Sequence, residues 1–424
     1  MKEYLLNIGE QMSTRITEDI GKFIATLKEP VDPVMLQKAT EQTLAVHKGF
    51  AVKREVRDGL CYWVENPLKP VVRQWPDGQN CVYGDADTNE FPWEVLFSGK
   101  DIIFAGTHAM TDGGGIIRFM GTLLCKYFVL AGVKIADYKE ILMDESGEVS
   151  LEDGFEVNFM KDSEDAVGVP TEKAPSFISE DFFDKENKDT EYTITLSKKQ
   201  ISDIAHGGEV STFAVIAYMM AKTMERFLEG DESNIQIQVP IDMRPYFGSR
   251  TDHNFSTVAH LNYDQKRMGK RSKEFVLTVF RSHLDIITDK GNLQKNIDQI
   301  QGGTMMVTQS PEALNKLVDQ YKVLLTQPIA CWFYTHMTQL GYPDEVMEKL
   351  EDFRVEDNEY FNTRMVALGI TFGDKINLII NQHTKNNGII QKLKEVLDEN
   401  SIEYTISNQR KYLNAYYAIG KYDE

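Results

Sequence analysis

A chain of 424 residues, at about 150 residues per domain, holds two or three domains or two large lobes sharing one interface. Hydrophobic residues at 42% and charged residues at 26% are globular values, which excludes disorder, collagen-like repeats and a coiled coil. With 65 acidic against 46 basic residues the net charge is −19, a field that repels phosphate backbones and anionic membrane surfaces, so nucleic acid is not an expected partner.

The opening MKEYLLNIGEQ lacks the apolar stretch and small-residue cleavage site of a secretory signal, and no apolar run approaches the roughly 18 residues of a membrane span. Cys61, Cys81, Cys125 and Cys331 are scattered without a C-x-x-C pair, which favours neither a disulfide framework nor a thiolate metal site. A cytoplasmic, reducing setting is expected. Asp32-Pro33, followed by Leu36, Ala39, Thr43 and Val46, predicts a capped amphipathic helix ending near Gly49. The runs FAVKREV, LCYWVEN and KPVVRQW, separated by Asp58-Gly59 and Pro67, predict a hairpin and a further strand. WEVLFS and DIIFAGT, split by Gly99, predict two more, and residues 116–131, apolar all round, predict a buried helix.

From about Asp137 to Thr190 the chain is acidic and interrupted by Gly147, Gly154, Gly168, Pro170 and Pro175, as a linker would be. The expected division is therefore a first lobe over 1–160, a linker over 161–190 and a second lobe over 191–424. Beyond the linker come a strand at EYTITLS, a short helix from ISDIAHGG, a helix capped by Ser211 or Thr212, and strand NIQIQVPIDMR. Strand VAHLNY, helices near 273–287 and 311–325, the strand pair RMVALGITFG and KINLIINQH, and a last helix GIIQKLKEVLDEN follow. No solenoid period is present; helices and strands mix in both halves, which predicts two α/β lobes of mixed sheet.

The sharpest local pattern is Thr107-His108-Ala109-Met110-Thr111-Asp112-Gly113-Gly114-Gly115, between a strand and an apolar helix. A histidine at such a junction can act as a general base near neutral pH, and flanking glycines let a substrate approach. On spacing alone, Asp112 as a plain helix cap and His108 as a core histidine remain equally open. The third glycine of a dinucleotide loop is missing after Gly115, since Ile116, Ile117 and Arg118 follow. Asp85-x-Asp87-x-Asn89 opens like a calcium loop, but Glu90 and Leu96 occupy the glycine and glutamate positions. Serine-hydrolase, zincin and P-loop signatures are absent from the sequence.

His108-x-x-x-Asp112-Gly113 after a strand resembles the active-site motif of the chloramphenicol-acetyltransferase-like superfamily, which includes condensation domains, plant acyltransferases, wax-ester synthases and alcohol acetyltransferases. VDPVMLQKATEQTLAVHKGFAVKRE is similar to the family's first helix and strand, STFAVIAYMMAKTM to the helix opening its second lobe, and VPIDMRPYFGSRTDHNFST to its strand and loop carrying an arginine and an asparagine. The resemblance implies two similar lobes meeting at a channel with His108 at its midpoint. It also implies an acyltransferase in which His108 takes the proton of a small-molecule alcohol or amine acceptor attacking a thioester. Asp112 would pair with Arg244 to hold the loop, Gly113 would keep the channel open, and Asn254 or Ser256 would orient the donor or help the oxyanion. No tightly bound cofactor is implied; the donor would be acyl-CoA or a phosphopantetheine thioester on an acyl carrier protein, and the protein a monomer with pseudo-dimeric lobes.

Thr107 replaces the first histidine of condensation domains, and Thr371-Phe372-Gly373-Asp374-Lys375 lacks the plant Asp-Phe-Gly-Trp-Gly loop, so the alcohol and wax-ester acyltransferases are the nearer comparison. The basic cluster Lys266, Arg267, Lys270, Arg271 and Lys273 is a candidate grip for CoA phosphates, or else a solvated helix start. A condensation-type amide-forming enzyme and a non-catalytic ligand- or carrier-binding member are the alternatives.

Overall fold

A computed structural model of the chain describes residues 3–16, 22–75, 84, 86–135, 152–161, 188–206, 209–228, 233–326, 332–356, 365–382 and 388–413. The chain runs β1 (Tyr4–Leu5), α1 (Ile8–Ile16), β2 (Lys22–Leu27), α2 (Pro33–Val46), β3 (Val52–Arg57), β4 (Leu60–Glu65), β5 (Val72–Gln74), β6 (Trp93–Ser98), β7 (Asp101–Gly106) and α3 (Gly113–Leu130). It continues through α4 (Gly154–Val157), β8 (Lys188–Ser197), α5 (Lys198–Ile204), α6 (Thr212–Phe227), β9 (Asn234–Asp242), α7 (Arg244–Phe247), β10 (Ser256–Asp264), α8 (Gln265–Met268), α9 (Lys273–Ile287), α10 (Lys290–Gln309) and α11 (Pro311–Thr326). It closes with β11 (Trp332–Gln339), α12 (Asp344–Met347), β12 (Leu350–Glu356), β13 (Met365–Phe372), β14 (Lys375–Gln382), α13 (Gly388–Glu399) and β15 (Tyr404–Leu413).

Local chemistry accounts for several of these elements. The Asp32 carboxylate accepts from the amides of Val34 and Met35 at 2.8 and 2.9 Å, Pro33 takes the first helical position, and Leu36, Ala39, Thr40 and Thr43 form the buried stripe of α2. Asp58 and Gly59, both at positive φ, turn β3 into β4. Ser211 caps α6 through the amide of Ala214. Gly373, at φ 59°, turns β13 into β14. Unexpected from sequence are β1, α1, β2, β11, β12, β15 and the 20-residue α10.

Two large mixed sheets carry the fold. One has five strands in the order β12-β2-β7-β6-β5, the other seven in the order β10-β9-β11-β13-β14-β8-β15, and a small sheet β1-β4-β3 flanks them. The first core gathers Phe50, Trp93, Phe104 and Phe119 beside α2 and α3. The second gathers around α6 and the strands beneath it. On β14, Ile376, Leu378 and Ile380 face the second core and Ile379 the first, so alternation along one strand serves both.

The sheets do not divide the chain at the expected boundary. β12, from the stretch assigned to the second lobe, pairs with β2 at the edge of the five-stranded sheet. Leu340, Tyr342, Val346, Leu350 and Phe353 bury themselves in the first core, and the Tyr342 hydroxyl donates to the Ile117 carbonyl at 2.8 Å. Residues 340–356 thus belong physically to the first lobe. The expected linker at 161–190 lies outside the described residues apart from its ends.

Contrary to the expectation that no apolar run approaches span length, the 18 residues of α3 are long and apolar enough to cross a membrane by length and composition. The stretch is 67% buried, because α2, α12 and the five-stranded sheet surround it.

Candidate active site

His108 stands in the turn that leaves β7, the middle strand of the five-stranded sheet, just before α3. The turn is fixed by its backbone: Thr107 N donates to the Pro92 carbonyl at 2.9 Å and Met110 N to the Thr107 carbonyl at 3.2 Å. His108 itself is half-buried and forms no hydrogen bond or ion pair with the described residues.

Asp112 fills both roles that its position left open. Its Oδ1 accepts from Gly115 N at 2.9 Å, capping α3, and from Arg244 Nη1 at 2.9 Å, while Oδ2 accepts from Phe255 N at 2.9 Å. Arg244 is as buried as Asp112. Its guanidinium also donates to Asp242 Oδ1 at 2.9 Å, to the Thr251 carbonyl at 2.8 Å and to the His253 carbonyl at 2.6 Å. Burial pushes the Asp112 carboxyl up, but Arg244 and the two amides outweigh it and hold the group below its ordinary 3.8. The ion pair and the cap are one construction joining α3 to the end of β9.

The loop 251–255 is its other half. Thr251 O accepts from Arg244 and from Arg118 Nη2 (2.7 Å), Asp252 O from Thr111 Oγ1 (2.6 Å), and His253 O from Arg244. The Asp252 carbonyl and the Phe255 amide of this second-lobe loop meet the His108 motif directly, and the Thr251 and His253 carbonyls hold the Arg244 that pairs with Asp112. The glycines make room for that contact. A Cβ on Gly115 would lie 2.0 Å from Thr111 Oγ1 and 3.0 Å from the Asp252 carbonyl, and one on Gly114 2.8 Å from Asp242 Oδ2. A Cβ on Gly113, by contrast, would meet nothing nearer than Phe23 at 3.9 Å.

Asn254 and Ser256 satisfy each other: Asn254 Oδ1 accepts from Ser256 N at 3.2 Å and Ser256 Oγ at 2.8 Å, in a turn that starts β10 beside Phe255. They lie within two residues of an Asp112 contact. Lys266, Arg267, Lys270 and Arg271 do not converge on His108. They are exposed at the opposite end of β10, roughly 26 Å from Ser256 by strand rise. Arg267 approaches Asp264 at 3.6 Å, Arg271 stacks over Phe275, and Lys273 reaches Asn400.

The N-terminal segment backs the site. Tyr4 stacks on His253 with ring centroids 4.3 Å apart and planes 5° from parallel. The His253 imidazole bonds the backbone of Met110, two residues after His108, and burial lowers it to about 4 despite Asp252, so it is neutral at pH 7. Asn7 and Glu10 form a reciprocal capping box at the start of α1, with the Tyr4 hydroxyl donating to Glu10. Burial raises both Glu10 and Asp153, the latter to about 6.

Asp153 yields a stability prediction. An acid whose folded value lies above its ordinary 3.8 is tolerated best when protonated, so its penalty is absent near pH 4, grows as pH rises and is complete above about 6. Asp153→Asn, which retains the oxygen accepting Phe155 N, is expected to stabilise the protein by roughly 3 kcal/mol at pH 7.5. Melting curves should show the gain vanishing by pH 4. A gain equal at both pH values would show that Asp153 is not the titrating group.

No family profile and no curated protein sequence matches this chain. Solved structures do. The complex of F. sporotrichioides TRI101 with coenzyme A and T-2 superposes with a TM-score of 0.60 at 12% identity, covering 95% of this chain and 100% of that one. The trichothecene 15-O-acetyltransferase TRI3 of Fusarium sporotrichioides gives 0.57 at 12% identity, covering 94% of each. The epimerization domain from the third module of tyrocidine synthetase B gives 0.58 at 10% identity, covering 100% of this chain and 98% of that one.

The fold is chloramphenicol-acetyltransferase-like. The two expected lobes are those of this fold, with the strand exchange through β12 that a contiguous division at the linker misses. Within the chloramphenicol-acetyltransferase-like frame, sequence reasoning overlooked Thr111, Arg118, Thr251, Asp252, His253 and His47. For His47 a signal existed: it extends the buried stripe Leu36, Ala39, Thr43 by one further step of four, and a histidine on such a stripe needs partners.

Proposed function

We propose that the protein is an acyltransferase that moves an acyl group from a thioester donor to a hydroxyl or amine, with His108 as the general base. The observation carrying this reading is the contrast at the motif. Thr111 and Asp112 of the motif are tied to the second lobe, whereas the His108 imidazole itself bonds none of the described residues and so stays available to a substrate. Solved structures of the same fold include one in complex with coenzyme A.

In this chemistry the imidazole removes the acceptor's proton as the oxygen or nitrogen attacks the thioester carbonyl. The tetrahedral oxyanion then collapses, the carbon–sulfur bond breaks, and the departing thiolate takes the proton back from the imidazolium. Asp112 and Arg244 hold the turn and do not touch the reacting atoms. Asn254 and Ser256, which flank the Phe255 amide bonded to Asp112, are proposed to orient the thioester, and Gly113 leaves open space beside the helix start. Consumption of acyl-CoAs in the presence of a panel of alcohols and amines tests the reading, with thiol release as readout. Binding of thioesters without turnover would favour the ligand-holding alternative.

Lys266, Arg267, Lys270 and Arg271 are proposed to meet the far, phosphate-bearing end of CoA, a reading supported by their distance along β10 from Ser256. Neutralising all four is expected to raise KM for acyl-CoA several-fold with little change in kcat, as about 1 kcal/mol of uniform binding is lost. A phosphate-free N-acetylcysteamine thioester should be used equally well by variant and parent. If both donors suffered alike, or neither did, the phosphates would bind elsewhere.

A further inference from the structure

We infer that His47 and Asp252 are positioning residues for His108, forming a second bridge between the lobes beside the Asp112–Arg244 pair. The inference rests on the reading of His108 as the base. His47 follows the last residue of α2 and is fully buried. Its Nδ1 lies 2.9 Å from Asp252 Oδ1, and its Nε2 lies 2.8 Å from Thr122 Oγ1 on α3. Phe50 meets the ring edge-on at 6.0 Å and Phe119 at 5.6 Å. Both ring nitrogens are therefore engaged, and the adjoining rings of Phe50 and Phe119 pack against one side of the imidazole, which fixes its orientation.

Asp252 has less choice still. It is 1% exposed, its Oδ2 accepts no hydrogen bond from the described residues, and Oδ1 is held by His47. The buried carboxylate is thus located by the imidazole. The same residue's carbonyl takes the Thr111 hydroxyl at 2.6 Å, and Thr111 is the link between the His108 turn and Asp112. Gly115 marks how tight this junction is, since a Cβ there would overlap Thr111 Oγ1. A shift of Asp252 cannot be absorbed locally and is passed to Thr111. The path runs from α2 through His47 and Asp252 to Thr111 by buried hydrogen bonds, and from Thr111 to His108 through the three intervening backbone links of the turn. A histidine that merely filled the core would need one partner; this one joins α2, α3 and the second-lobe loop, and its second-lobe partner is the residue that grips the motif.

The two nitrogens can be tested apart. His47→Asn keeps a polar group near the Nδ1 position that faces Asp252, whereas His47→Gln places it near Nε2, facing Thr122. His47→Gln is expected to lower kcat about tenfold with both KM values within about twofold, because geometry at the base is lost and binding is not. His47→Asn and Thr122→Val should stay within about threefold of wild type. Circular dichroism and cooperative melting establish that each variant is folded, and Asp252→Asn replaces His47→Gln if the latter fails to fold. Equal losses in His47→Asn and His47→Gln would reduce His47 to core packing, and wild-type kcat in both would overturn the inference.

A readout independent of acyl transfer is the rate at which diethylpyrocarbonate modifies His108, followed by peptide mass. It should change about threefold or more in His47→Gln and remain near wild type in His47→Asn. An unchanged rate in His47→Gln would overturn the inference on its own. Failure of the wild type to transfer any acyl group would remove the acyl-transfer reading while this modification rate still decides whether His47 positions His108.

Discussion

Replacing His108 by alanine is expected to lower acyl transfer about 100- to 10,000-fold, the span of general-base catalysis, while the melting temperature stays put. The separation of the two effects follows from the contacts. His108 is half-buried and bonds none of the described side chains or backbone groups, so truncation orphans no partner and opens no core cavity. A stability change within about 0.5 kcal/mol is what such a site permits. Neighbouring residues could not produce this signature: loss of Thr111, Asp112 or Arg244 strips buried partners and moves stability with rate. Steady-state thiol release and thermal melting on the same preparation decide the matter. Transfer within a few-fold of wild type would remove His108 from the role of base.

How much of this was legible depended on how far the information travels along the chain. α2 was readable because Asp32, Pro33 and the stripe from Leu36 act within one helix, and the β3–β4 and β13–β14 hairpins because Asp58-Gly59 and Gly373 set their turns locally. α10 was hidden by its own composition. Its buried stripe Leu293, Ile297, Gln301, Thr304 and Val307 is diluted by polar residues, and Gly291, Gly302 and Gly303 read as breakers. β12 carries nothing in its seven residues to announce β2, more than three hundred positions earlier, as its partner. The site divides along the same line. The His108, Asp112 and Gly113 spacing is local, and Arg244 came from resemblance, whereas His47 and Asp252 stand 205 positions apart and meet only because both lobes close on one loop. The α2 stripe marks His47 as a residue in need of partners, but nothing periodic names Asp252 as that partner, so the pattern that finds helices and strands is blind to the bridge itself.

Asp112→Ala and Arg244→Ala are each expected to cost about 3 to 5 kcal/mol of stability, because Arg244→Ala strands the buried Asp112 carboxylate and Asp112→Ala leaves the buried guanidinium with the partly exposed Asp242 in place of its buried partner. Asp112 and Arg244 are each 4% exposed, so water cannot take over for the lost partner. Arg244 is the more entangled of the two. Its loss frees the carbonyls of Thr251 and His253 as well as the carboxylates of Asp112 and Asp242. The double variant should lose less than the sum of the singles, since the stranded charge that each single creates is absent from it. pH provides an independent check. Asp112's folded-state value is held below the ordinary 3.8, so its contribution is complete at neutral pH and is lost as pH falls below about 4. The wild type should therefore lose stability on acidification through that range more steeply than Asp112→Ala. Strict additivity together with parallel acid profiles would show that the pair does not hold the His108 loop, and that the lobes are joined at the motif by the backbone contacts of residues 251–255 alone.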